Sequence, residues 1–79
     1  MYLAVKDVIS AENYELILTF ENNERREFDV KPLFDKGAFS QFKNKTLFET
    51  VKVSFDTIEW GNGTDLDPEL LYEKSTPFI

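Results

Sequence analysis

The sequence predicts an α+β fold: a small antiparallel sheet of about five strands, with short helices packed on one face. Three observations lead there. Apolar residues alternate with polar ones over residues 14–20, 24–30 and 51–60, the period of half-buried strands. The period changes between residues 31 and 49, where proline and glycine punctuate short helical turns. A full set of helix-start residues then opens the last element at Asp67.

Residues Leu3 to Ile9 read as the first strand, interrupted by Lys6 and Asp7. In the second, Tyr14, Leu16, Leu18 and Phe20 share one face, and Ile17 breaks the polar face and implies a partly covered second side. The third runs from Glu24 to Val30 with Phe28 and Val30 inward. Parity chooses the loop between them. A two-residue Asn22-Asn23 loop would set Leu16 against Asp29, mixing the faces. A three-residue loop, Glu21-Asn22-Asn23, sets Leu16 against Phe28 and Tyr14 against Val30. Its last position needs a left-handed residue, which asparagine tolerates, so Asn23 is predicted at positive φ.

Pro32 suits the start of a helical turn and Gly37 its end. Phe39 and Phe42, three apart, share a face in a further turn. Thr46 and Glu49 fit a capping box. Val51, Val53 and Phe55 restore period two, and an Asp56-Thr57 turn would set Phe55 against Ile58 and Val53 against Trp60. Asp67 is the expected N-cap of the last helix, with Pro68 at its first position, Glu69 in its positive first turn, and Leu66 and Leu71 spaced as a hydrophobic staple. Residues 1–79 thus form one domain, with 73–79 as a loose C-terminal tail whose Phe78 and Ile79 are able to dock.

Seventy-nine residues bury a modest core, roughly 60% of the unfolded surface. Net stability is then on the order of 5 kcal/mol. Eight Phe, three Tyr and one Trp must supply the packing, because no cysteine is present for a disulfide or a thiolate metal site. The net charge of -6 disfavours direct nucleic-acid binding and anionic membranes and suits a basic protein partner. No apolar run approaches a membrane span and no secretory leader is visible, so the cytoplasm is the expected location.

The residues Trp60, Asn62-Gly63, Asp65, Pro68-Glu69 and Leu71-Tyr72 carry a resemblance that extends over nearly the whole chain. It includes Tyr14 to Phe20, Phe28-Asp29 followed by Leu33, and Phe48 followed by Val51 and Val53. With these the chain resembles the DUF2442 family of small bacterial proteins of unknown function. Members usually have Trp-Pro-Asn-Gly where this chain has Trp60-Gly61-Asn62-Gly63, and Asn-Gly where it has Asn22-Asn23. The resemblance implies a compact α+β fold. Members stand alone or fused to a helix-turn-helix domain, in small operons with another short protein, which suggests a toxin–antitoxin-like relation. No helix-turn-helix is evident here, and no catalytic residue carries over.

Chemistry is thinly supplied. Without His or Cys there is no Ser-His-Asp or Cys-His arrangement, and no phosphate-binding glycine loop is present. The expectation is a non-enzymatic protein without cofactor or metal. Asp65, Asp67 and Glu69 with Asn62 are weighed as an oxygen-rich cation site against simpler duties in a turn, a cap and a helix dipole. Trp60 and Tyr72 either line a groove or place the indole in the core with the phenol at its rim. Arg25 and Arg26, flanked by Glu24 and Glu27, read as a solvated strand face. The candidate interaction or ligand surface is therefore Trp60, Asn62, Asp65, Glu69 and Tyr72. It would serve a small basic protein partner, with homo-oligomerisation through a sheet edge as another outcome, or alternatively a small molecule bound near Trp60, Asp65 and Tyr72.

Overall fold

The computed structural model describes residues 3–78. The fold is α+β, with two antiparallel sheets where one was expected. The first has the order β1-β2-β3-β7, with β1 at Val5–Ala11, β2 at Glu15–Phe20, β3 at Arg25–Asp29 and β7 at Thr76–Pro77. The second has the order β4-β5-β6, with β4 at Lys52–Ser54, β5 at Thr57–Glu59 and β6 at Asp65–Leu66. Two short helices, α1 at Lys45–Phe48 and α2 at Pro68–Lys74, accompany 3₁₀ turns at Glu12–Tyr14, Lys31–Leu33 and Gly37–Lys43.

The first hairpin follows the parity argument. Leu16 pairs with Phe28, and the Val30 amide donates to the Tyr14 carbonyl at 3.1 Å. Asn23 sits at φ 70°. Leu16, Leu18, Phe20 and Phe28 consequently face the core, while Ile17 meets Ile9 on the outer side. The Lys6-Asp7 interruption is a β-bulge: pairing jumps from Val5–Phe20 to Asp7–Thr19, and the displaced Lys6 ammonium donates to Asn23.

Both sheets, the two helices and Phe42 of the third 3₁₀ turn feed one hydrophobic cluster. Trp60 is its largest fully buried side chain. Its indole stacks on Phe42 at 4.4 Å between centroids, and its Nε1–H donates to the Phe48 carbonyl at 3.1 Å. That bond satisfies one of the carbonyls that the end of α1 leaves open.

Three local expectations are corrected. The N-cap of α1 is Asn44, not Thr46: its side-chain oxygen accepts from the amides of Thr46 (3.0 Å) and Leu47 (3.4 Å). Asparagine ranks above threonine as a cap, and it meets these donors before Thr46 is needed. The β4–β5 register is shifted by two residues, with Val53 opposite Ile58, and the loop is Phe55-Asp56. Both loop residues have positive φ, 48° and 70°, the type I′ geometry whose twist matches a two-residue hairpin. The tail is also ordered through Phe78: β7 pairs with β3, and the Phe78 amide donates to the Arg25 carbonyl at 3.0 Å. Ile79 lies outside the described residues.

Asp67 caps α2 as expected, accepting from the Glu69 amide at 2.9 Å. Asn44→Ala and Asp67→Ala should each cost about 1 kcal/mol. For a domain of this size that is a fall of roughly 4–8 °C in the thermal midpoint by circular dichroism.

Candidate functional site

The stretch from Trp60 to Tyr72 is built first by a hairpin loop. The Trp60 amide donates to the Thr64 carbonyl at 2.8 Å, and the Gly63 amide to the Trp60 carbonyl at 2.9 Å. The Asn62 side chain accepts from the Thr64 amide at 3.1 Å, and Gly63 holds φ 89°. The loop at Glu21-Asn22-Asn23 uses the same grammar. Phe20 bonds to Glu24, the Asn22 side chain accepts from the Glu24 amide at 3.0 Å, and Asn23 takes the left-handed position. Asn62-Gly63 is thus a turn device with a twin elsewhere in the chain. Gly61 has its own reason. Its amide donates to Thr50 Oγ1 at 2.8 Å, and a Cβ there would lie 3.0 Å from that same oxygen. A proline at this position would lose the bond and crowd the threonine.

The candidate residues differ in burial. Trp60 is fully buried, which is the core placement weighed for its indole against a groove. The small-core argument explains why: the largest ring is spent where packing is scarcest. Asn62, Asp65 and Glu69 are exposed, and Tyr72, one turn along α2 from Glu69, is half-buried and edge-on to Phe20 at 5.1 Å. Among the described residues no group of three or more acidic side chains converges as a metal site would require. Asp67 has its amide to cap.

Tyr72 belongs instead to a closed polar network that the sequence reading missed. Arg26 pairs with Leu18 across the ladder and so shares the inward face with Phe28. Its guanidinium donates to the hydroxyl and the carbonyl of Ser75, each at 2.7 Å, and to the Glu24 carboxylate at 2.5 Å. It lies 4.3 Å from the centre of the Tyr72 ring, whose hydroxyl donates to Glu24 at 2.9 Å. The signal was available in the alternation: Arg25 and Arg26 must point to opposite faces, so only Arg25 can be solvated with its stem outward.

This network shifts two titrations. The hydrogen bond from Arg26, then that from Tyr72, holds the Glu24 carboxyl below its ordinary 4.5. The bond to Glu24, followed by burial, raises the Tyr72 phenol above 10.0. Each shift follows from a structural bond, and none marks a group poised for proton transfer near neutrality.

The second missed residue is Phe55. It stands 97% exposed at the tip of the β4–β5 loop, in a backbone region that bulky side chains avoid. Val53 on the same hairpin is 38% exposed. No sequence signal separated it from core phenylalanines, because the alternation of Val51, Val53 and Phe55 fits a strand equally well.

A cavity of about 460 Å³ with a mixed polar and apolar lining lies beside the β1–β2 loop, between Tyr14, Lys31, Lys45 and Phe48. Lys31 is already committed there, to the Asn13 carbonyl at 2.5 Å and to Asp29 at 3.1 Å. No helix among the described residues is long and apolar enough to cross a membrane.

Residues 5–77 match the family model described as "Protein of unknown function (DUF2442)". No curated protein and no solved structure matches the chain.

Proposed function

This chain belongs to the DUF2442 family, whose membership brings no known activity, and we propose that it is a non-enzymatic protein-interaction module, a cytoplasmic adaptor or antitoxin-like regulator that binds a small basic protein. The observation that carries this reading is Phe55. A phenylalanine at positive φ costs on the order of 1–2 kcal/mol of backbone strain. Its ring recovers none of that, since it is 97% exposed. Large aromatics that protrude in this way are the side chains that anchor protein interfaces when a partner supplies a socket. The charge of -6 favours a basic partner through attraction and steering. The β7 edge suits this role less, since it is two residues long and ends in Pro77, a blunted edge.

The test separates folding from binding. Phe55→Asn puts a residue that tolerates positive φ at the first loop position and leaves Asp56 in place. It should stabilise the protein by about 1 kcal/mol in chemical denaturation. The same variant should lose a basic partner that the tagged wild-type chain retains in stoichiometric amount from its native cells. A variant that is more stable and keeps the partner places the interface elsewhere. A wild-type chain that retains no partner and stays monomeric removes the proposal.

A further inference from the structure

A second cavity, of about 430 Å³, opens between the end of β3, the Lys31–Leu33 turn and α2. Its floor is apolar, formed by Phe28, Pro32, Leu33 and Leu70. Its charged lining residues are Asp29, Lys36 and Lys74. Asp29 is neutralised by Lys31, whose ammonium lies 3.1 Å from the carboxylate, and it also accepts from the Lys31 amide at 3.0 Å. Lys36 and Lys74 enter no ion pair among the described residues. An apolar recess with cationic lining is therefore present on a chain whose overall charge is -6.

We propose that this cavity binds a small amphipathic monocarboxylate, of medium-chain or aromatic type. The apolar body would lie on Phe28, Leu33 and Leu70, and the carboxylate would meet Lys36 and Lys74. The volume falls within the range of small-molecule sites, and a mainly apolar lining with a few charged residues is the composition such sites use. Two ammonium groups favour an anionic head over a neutral one. Lys74 contributes from the last turn of α2, where a cation is also favoured by the helix dipole. This proposal is independent of the Phe55 reading, which concerns a different hairpin.

The experiment is a titration of the full chain with octanoate, followed by amide chemical shifts in nuclear magnetic resonance, with octan-1-ol as the neutral counterpart. Octanoate should give saturable shifts at Leu33, Lys36, Leu70 and Lys74. Lys36→Gln with Lys74→Gln should weaken octanoate by about tenfold, the scale of a lost charge-assisted contact, and leave octan-1-ol binding unchanged. Both lysines are exposed, so the double variant should fold, and its thermal midpoint checks that. Shifts that fail to saturate, that map away from this cavity, or that are equal for octanoate and octan-1-ol would each overturn the proposal.

Discussion

Trp60→Ala should leave the protein only marginally stable, with a sizeable unfolded fraction at room temperature. Removing a fully buried aromatic costs about 3–5 kcal/mol through lost transfer energy and the cavity left behind. A domain of this length has a total on the order of 5 kcal/mol to lose. Here the ring has further duties: it stacks on Phe42, meets Phe39 edge-on at 6.4 Å and closes the Phe48 carbonyl. Trp60→Phe divides these contributions. It keeps an aromatic body but deletes the N–H and leaves a buried carbonyl open, for an expected loss of about 2 kcal/mol. Circular dichroism with urea is the suitable measurement, because Trp60 is the only tryptophan and both variants abolish its fluorescence. A Trp60→Ala variant with a cooperative transition near that of the wild type would show that the indole is not the centre of the core.

Arg26→Ala should cost about 2 kcal/mol, far more than an exposed arginine on a strand would. The side chain is only 13% exposed, and its removal takes three hydrogen bonds and the cover over the Tyr72 ring. Arg25→Ala is the internal control. Its guanidinium sits over Phe78 at 5.5 Å on the outer face, so the change should be within about 0.5 kcal/mol. The same network fixes the sign of the pH dependence. Glu24 has a depressed pKa, so its contribution is present above the ordinary 4.5 and is lost as pH falls through the lower folded value. Tyr72 has a raised pKa, so its contribution is present below 10.0 and is lost as pH rises through the higher folded value. The thermal midpoint should therefore hold across neutral pH and fall at both extremes. Glu24→Gln should flatten the part of the acid limb that this carboxylate causes. An unchanged acid limb would mean that other carboxylates dominate it.

What the sequence revealed depended on how many physical constraints met at each position. The β2–β3 hairpin was legible because burial parity and the left-handed tolerance of Asn23 agree on one loop. The start of α2 was legible because Asp67, Pro68 and Glu69 all speak for the same boundary. The β4–β5 register was not, because a shift of two residues leaves every side chain on its own face. Only turn geometry separates the alternatives, and it puts Phe55 rather than Thr57 in the loop. Strands β6 and β7 have two residues each, too few for any period to appear. The candidate site was hard to read for a related reason. The motif from Trp60 to Tyr72 is dense in recognisable residues because it makes a turn, fills a core and caps a helix. The exposed ring at Phe55 and the largely covered guanidinium at Arg26 sit in stretches whose composition resembles ordinary strand.

The pairing of β3 with β7 has a consequence for the route by which the chain acquires its shape. Every other ladder joins strands that follow one another in sequence, so each can form as a hairpin in about 1–10 μs. The Arg26–Ser75 bonds that accompany β3–β7 pairing join residues 49 apart. The entropy of closing that span must be met before the contact repays it. The final edge of the first sheet should thus close last, after the barrier is crossed, and variants that loosen Arg26 or Ser75 should chiefly accelerate unfolding while leaving the folding rate nearly unchanged.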